Sequence, residues 1–251
     1  MIVVTGAAGE IGTWLVPRLA ARGLELRLSD ISEIAGKVKG TEFIRADLTE
    51  ADAIRDLCKD AAAIIHLGGI RFEAPPEQLV AANVLGTNNV FRAARLAGAR
   101  VIYASSNHVI GYYERNHDLS TDDPFRPDSI YGVTKAAGEL IARFYFDRYR
   151  VESASIRIGS ALEKPTRVRH RHTWVSYDDL EALIVACLES PNLGCRTFWG
   201  VSANTRKWWQ DDSRSFGFVP KDDAERYVAT LLPDPDDPRV RRFQGGEFCA
   251  E

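Results

Sequence analysis

Residues 2–30 read IVVTGAAGEIGTWLVPRLAARGLELRLSD, and they decide the fold. Ile2-Val3-Val4 is a β-branched run that predicts a strand. Gly6, Gly9 and Gly12 follow in a short turn, and Ile11, Leu15 and Leu19 then recur at helical spacing. Residues 25–29, ELRLS, predict a second strand with Asp30 at its end. Strand, glycine turn, helix and strand in that order outline a βαβ unit of the dinucleotide-binding kind. A helix N-terminus offers N–H groups and partial positive charge to a pyrophosphate, and glycine lets the backbone come close to it. The spacing here is G-x-x-G-x-x-G rather than G-x-G-x-x-G, so the flanking strand and helix carry the reading. Gly6, Gly9, Glu10, Ile11 and Gly12 are therefore expected against a cofactor. Asp30 stands about 20 residues beyond the turn, the right region for hydrogen bonds to an adenosine ribose. Its charge would repel a 2′-phosphate, so the expected cofactor is NAD rather than NADP.

Composition narrows the class. A chain of 251 residues suits one large α/β domain, or a domain with a small lobe. Hydrophobic residues at 45% and charged residues at 27% are proportions of a water-soluble globular chain. The net charge of −3 supplies no field to draw in nucleic acid or a membrane. No apolar run approaches the roughly 18 residues needed to span a bilayer. A strand opening at Ile2 leaves no room for a signal peptide. Cys58, Cys187, Cys195 and Cys249 form no C-x-x-C pair and are expected as reduced thiols in the cytoplasm.

Farther along, Pro17 falls inside the first helix and is expected to remove one backbone bond there. Residues 42–46 predict a third strand, with Asp47 and Leu48 at the corner that faces adenine in this kind of fold. Residues 50–59 predict a short helix, and 62–67 (AAIIHL) a near-continuous apolar strand of the buried parallel kind. Leu67, Gly68 and Gly69 lie at its carboxyl end, where α/β sheets bind ligands. Residues 76–97 predict one long helix containing Asn83 and closed by Gly98. Residues 101–104 predict a fifth strand that runs into Ser105, Ser106, Asn107 and His108. A loop over 113–129 precedes a helix over 131–149, which places Tyr131 and Lys135 on one face a turn apart. A sixth strand at 153–159 is followed by a basic cluster at 167–172, a helix at 178–189, a strand at 197–201 and a polar tail. The expected fold is α/β, a Rossmann-type doubly wound and mostly parallel sheet in residues 1–157. Residues 158–251 are expected as a small substrate-binding lobe interleaved with the last core elements, within one compact domain.

Ser106, Tyr131 and Lys135 suggest alcohol oxidation, in which a hydroxyl loses its proton as its carbon loses a hydride. Free tyrosine, with a pKa of about 10, is a poor base at neutral pH. A nearby ammonium and the charge on a nicotinamide favour the phenolate. Ser106 would hold the hydroxyl in line with the phenolic oxygen, and Asn83 would support a proton path through water. Y-x-x-x-K alone arises by chance in many helices, but behind a glycine turn and strand-end serines it is specific.

With these residues in place, the chain resembles the extended short-chain dehydrogenase/reductases, the NAD-dependent epimerase/dehydratase superfamily. Longer motifs resemble the uronate dehydrogenases within it: His66-Leu67-Gly68-Gly69-Ile70, Ala104-Ser105-Ser106-Asn107-His108, Tyr131-Gly132-Val133-x-Lys135 and Arg157-Ile158-Gly159-Ser160. Leu193-Gly194-Cys195, Ser202-Ala203-Asn204 with Trp208-Trp209, and Phe243-Gln244-Gly245-Gly246 extend the resemblance over nearly the whole chain. The resemblance implies NAD-dependent oxidation of the anomeric carbon of glucuronate or galacturonate to an aldarolactone. It implies Tyr131 as base, Lys135 as its electrostatic partner, Ser106 as the hydroxyl anchor, and Asn83 in the same machinery. NAD would also meet Asp47, Leu48, Leu67, Gly68, Gly69, Asn83, Tyr131, Lys135 and Ile158. Asn107, His108 and Ser160 would contact sugar hydroxyls, and Arg169 would clamp the substrate carboxylate with its fork. A homo-oligomer is expected, with a small anionic sugar as partner and neither nucleic acid nor membrane.

Arg71 departs from that pattern, because the relatives carry a serine near the substrate at this place. A second cation there suits another anionic aldose, sulfoquinovose or a sugar 6-phosphate, unless Arg71 points to solvent. A nucleotide-sugar epimerase or dehydratase would use the same fold and triad, but the stretch after the sixth strand is short for a nucleotide lobe. A non-catalytic NAD-sensing protein is the reading from another class, and an intact Ser106, Tyr131 and Lys135 set speaks against it. His170 and His172 lack a carboxylate partner for a metal and read as a solvated basic loop; no metal is expected. His66 reads as a satisfied core histidine, and Trp208-Trp209 as packing.

Overall fold

Ile2, Val3 and Val4 do form a strand, β1 (Ile2–Thr5), and the glycine turn leads from it into α1 (Glu10–Ala21). The structure, a computed structural model, describes every residue except 35, 37, 73, 211, 212, 214, 215 and 251. α1 buries Leu15, Val16 and Leu19 and continues through Pro17. Then come β2 (Leu26–Ser29), β3 (Thr41–Phe43), α2 (Ala51–Leu57) and β4 (Ala63–His66). α3 (Pro76–Leu79), a π-helical turn (Val80–Leu85) and α4 (Gly86–Ala97) form one helical run. β5 (Arg100–Ser106), α5 (Ile130–Tyr149) and β6 (Ser153–Ile158) follow. The remaining elements are β7 (Ser160–Ala161), α6 (His170–Thr173), β8 (Trp174–Val175), α7 (Tyr177–Glu189), β9 (Cys195–Gly200) and α8 (Pro238–Arg242).

Seven strands share one sheet in the order β3-β2-β1-β4-β5-β6-β9, and β7 and β8 pair separately. β1 pairs in parallel with both β2 and β4, β2 with β3, and β4 with β5. The chain therefore moves one way from β1 to β3 and the other way from β4 onward. The carboxyl ends of β1 and β4 flank this reversal, the place where open α/β sheets take ligands. The doubly wound, mostly parallel sheet is the fold that the opening stretch predicts.

Two elements differ from expectation. β3 is short and largely exposed, an edge strand, and ends at Phe43. Ile44 and Ala46 nevertheless donate their N–H groups to Leu28 O and Asp30 O beyond it, at 2.9 and 3.3 Å. The helix expected over 76–97 widens into a π turn around Asn83, a feature common at functional sites. The strand expected at 197–201 forms as β9 and joins the main sheet.

The chain divides into two compact units. The first comprises Met1–Ala104, Ala137–Ser155 and Pro191–Arg196. Its core packs Val3, Ile54, Leu57, Ile64, Phe91, Val101 and Tyr145 among others. The second comprises Ser105–Ala136, Ile156–Ser190 and Thr197–Glu251. Its core is built on tryptophan: Trp199 and Trp209 stack at 4.9 Å and 16°, with Trp208, Val109, Ile110 and Leu119 around them. Such a pair contributes about 0.5–1.5 kcal/mol beyond the apolar area it buries.

Candidate active site

In the first unit, the glycine turn is built for a close approach. Gly6 has φ +71°, and a Cβ there would stand 2.5 Å from Gly68 N. A Cβ at Gly12 would meet the carbonyl oxygens of Gly6 and Ala7 at 2.5 Å each. Gly9 is the N-cap of α1, and no side chain caps the helix, so Glu10 and Ile11 open a terminus suited to an anion. Asp30 is fixed beside the turn, its Oδ2 accepting Ala8 N–H and its Oδ1 accepting Ser32 N–H, both at 3.0 Å. Asp47 Oδ1 accepts Thr49 N–H and Oγ–H, and Leu48 fills the space that a Cβ on Gly68 or Gly86 would need. Leu67 N–H donates to Thr5 O, and Gly69 takes φ +141° in the loop that follows. Asn83 accepts Ile70 N–H at 2.7 Å and donates to Ile70 O at 2.8 Å, which ties the π turn to that glycine loop. A cradle that side chains would fill, a helix N-terminus and a fixed carboxylate together fit a dinucleotide with an unsubstituted ribose. With these two bonds Asn83 holds the glycine loop from within the π turn.

Arg71 also lies in the first unit. Its Nη2 pairs with Glu10 Oε2 at 2.7 Å, and its guanidinium lies 4.2 Å over the Phe72 ring. Both charged side chains are about half exposed, at 56% and 45%, so the pair is a surface one of small energy. His66 is buried in this unit between Thr5 Oγ1 at 2.8 Å and Thr87 Oγ1 at 3.1 Å, as the core reading expects.

The second unit holds the side chains expected to react. Ser106 ends β5, and its Oγ accepts His108 N–H at 3.2 Å. Tyr131 and Lys135 lie one turn apart near the start of α5, only 8% and 5% exposed. Burial pushes the Lys135 ammonium down to about 8, and its Nζ is 5.8 Å from the centre of the Tyr131 ring. His108 meets the Tyr131 ring edge-on at 5.9 Å.

Around them, four expected sugar contacts converge in part. With its amide turned to satisfy both neighbours, Asn107 donates to Ile158 O and accepts from Arg169 Nη2, each at 3.1 Å. Ser160 Oγ bonds Thr173 Oγ1 at 2.9 Å, and Arg169 Nη1 stands 3.4 and 3.5 Å from these two oxygens. The Arg169 fork is not open on every side. Its Nε and Nη2 both donate to Gln244 O, and its backbone N–H donates to Asp234 Oδ1. Burial, and then the neighbouring charge of Arg115, pushes Arg169 down to about 10, still charged at neutral pH. The Nη1 edge carries the longest of these contacts.

The basic cluster around it is structural where a solvated loop was expected. His170 Nδ1 accepts the N–H groups of Thr166 and Arg167, and burial pushes the ring down to about 4. Arg171 pairs with Glu225, and His172 stacks on Trp208 at 4.3 Å. Among the described residues, no group of His, Cys, Asp and Glu side chains could hold a metal.

Sequence reasoning missed three residues of this cluster. Asp128 accepts from His108 Nδ1 at 2.7 Å, Phe248 covers the His108 ring at 3.8 Å, and Gln244 anchors Arg169. Asp128 was hidden in an acidic loop with no local pattern, while Gln244 stood in a quoted motif without a role.

The chain is similar to known proteins over nearly its whole length. A profile of the NAD dependent epimerase/dehydratase family matches residues 2–192. A uronate dehydrogenase from Agrobacterium fabrum is 43% identical over 254 residues, covering 98% of this chain and 96% of the relative. A crystal structure of uronate dehydrogenase from Agrobacterium tumefaciens, a mutant complexed with NAD, gives a TM-score of 0.95 at 41% identity and covers 100% of this chain and 97% of that one. A glucuronic acid dehydrogenase from Chromohalobacter salexigens gives 0.95 at 42% identity, covering 100% of this chain and 96% of that one.

Proposed function

The chain belongs to the NAD dependent epimerase/dehydratase family, and from that premise we propose that it oxidises the anomeric carbon of a free hexuronate, glucuronate or galacturonate, to the aldarolactone. Bound NAD supplies the acceptor for the hydride that leaves the anomeric carbon. Tyr131 takes the proton of the anomeric hydroxyl as that hydride departs, and the ring carbon becomes the lactone carbonyl. Lys135, a turn away, stabilises the phenolate with its ammonium. Ser106 Oγ holds the hydroxyl in line. Arg169, with Asn107, His108 and Ser160, holds the carboxylate and the ring hydroxyls.

The observation that carries this reading is the meeting of Asn107 with Arg169. It sets a fixed cation one residue along from the Ser106 hydroxyl, which calls for an anionic sugar. The uronate dehydrogenases at similar length support the same substrate class.

The test is a panel of glucuronate, galacturonate, sulfoquinovose, glucose 6-phosphate and neutral glucose, each with NAD and NADP, followed by NADH absorbance. Turnover of the two uronates with NAD, lost in Tyr131→Phe, is expected. Turnover restricted to the sulfonate or the phosphate would move the substrate to another anionic aldose. No helix among the described residues is long and apolar enough to cross a membrane. Cys58, Cys187, Cys195 and Cys249 form no disulfide, which fits the reducing cytoplasm. Exposed Leu96, Leu140 and Phe144 on α4 and α5 favour a homo-oligomer, which light scattering would test.

A further inference from the structure

In the second unit the carboxylate of Asp128 is buried completely and faces an imidazole. Asp128 has no exposed side-chain surface, and its Oδ2 lies 2.7 Å from His108 Nδ1. We infer that Asp128 is a positioning residue that fixes the tautomer and plane of His108, so that His108 Nε2 presents a lone pair to a sugar hydroxyl.

A carboxylate can only accept, so the hydrogen in the Asp128–His108 bond belongs to Nδ1. The other oxygen, Oδ1, accepts from Ser129 Oγ at 2.9 Å. In the neutral ring the remaining nitrogen, Nε2, is then an acceptor. The backbones are tied as well, with Asp128 N–H donating to His108 O at 3.3 Å. Phe248 lies against the ring at 33°, and Tyr131 meets it at 64°, so the imidazole is held on two further sides.

Two glycines make the room this carboxylate needs. A Cβ at Gly111 would stand 1.7 Å from Asp128 Oδ2, and one at Gly245 would stand 2.0 Å from it. The two glycines come from distant segments, joined where Gly245 N–H donates to Gly111 O at 2.9 Å. Arg169 lies near enough for the charge of Asp128 to act on it.

The identity of the hydroxyl donor rests on the proposed sugar site; the His108–Asp128 arrangement does not. The test is nitrogen-15 NMR of the histidine side chains in the full chain, with the His108 signals assigned by their loss in His108→Ala. In the unmodified protein, Nδ1 is expected to carry the hydrogen and Nε2 to lack it. In Asp128→Asn the hydrogen is expected to redistribute toward Nε2. The same change is expected to lower kcat/KM for glucuronate about 10- to 100-fold, chiefly through KM, as loss of an orienting partner does elsewhere. NAD affinity, read by fluorescence titration, is expected to stay unchanged. In a His108→Ala background, Asp128→Asn is expected to add less than about twofold, because it acts through the imidazole.

An Nε2–H tautomer in the unmodified protein overturns the inference, and so does a full Asp128→Asn penalty without His108. Should Asp128→Asn fail to fold, the tautomer of the unmodified chain still decides. If the unmodified protein oxidises no uronate, the substrate reading fails while the tautomer result stands.

Discussion

Arg169 donates from two nitrogens to a single acceptor, the backbone carbonyl of Gln244, at 2.9 Å from Nε and 2.5 Å from Nη2. The guanidinium plane is thus set by the C-terminal segment. The contacts of Nη1 with Ser160 and Thr173, at 3.4 and 3.5 Å, are long and weak, so the proposed carboxylate would displace them at least cost.

Gln244→Ala should reveal how firmly this anchor is held. The Gln244 side chain accepts Trp209 Nε1–H at 2.8 Å and donates to the carbonyls of Glu114 and His117 at 3.1 and 2.8 Å. Each buried partner left without a bond costs about 1–3 kcal/mol. Urea denaturation is expected to show a loss of about 3 kcal/mol. KM should rise for glucuronate and much less for NAD.

Arg169→Ala removes the cation itself. Loss of one partner of a buried charged pair costs about 2–5 kcal/mol, so KM for glucuronate should rise on the order of 100-fold. KM for NAD should hold. Arg169→Lys is expected to recover little, since one ammonium cannot reproduce the planar set of bonds to Gln244, Asn107 and Ser160. Steady-state kinetics with both substrates varied would check this, and an unchanged KM for glucuronate would remove Arg169 from the site.

Lys135 trades stability for reactivity. Its ordinary value is 10.5, and burial in the fold brings it to about 8. Between those values the unfolded chain binds more protons than the folded one, so stability rises with pH through that window. Below it the buried ammonium costs up to about 3 kcal/mol. Lys135→Met is therefore expected to be more stable than the native chain near pH 7, to lose the advantage by about pH 10, and to be inactive throughout. Urea melts at the two pH values would measure this; a less stable variant near pH 7 would mean that the bonds of Lys135 outweigh its burial.

Asp30→Asn should loosen the choice of cofactor. The amide keeps an acceptor for Ala8 or Ser32 N–H but drops the charge that repels a 2′-phosphate. Removal of about 1 kcal/mol or more of repulsion is expected to shift the NADP-to-NAD ratio of kcat/KM about tenfold toward NADP. An unchanged ratio would mean that Asp30 does not face the ribose.

Local chemistry made much of this molecule legible. The β-branched run before Gly6, the helix behind Gly9, and the four-residue step from Tyr131 to Lys135 are short-range patterns whose meaning does not depend on distant residues. His66 could be read as a core histidine from the apolar run around it. Other features had no such pattern. The π turn depends on Asn83 reaching back to Ile70, and β9 joins the main sheet only because β6 offers it an edge. His170 looked solvated, yet it caps the turn before it.

The sequence by itself determined the fold class and the family, because glycine turns, helical spacing and strand-end polar residues act over a few positions. Only the tertiary structure decided that His108 answers to Asp128, twenty residues away, and that Arg169 is held by Gln244, seventy-five residues away. Hydrogen bonds have no reach along the chain, only through space. A carboxylate in an acidic loop and a glutamine near the C-terminus acquire their roles when folding removes the water around them.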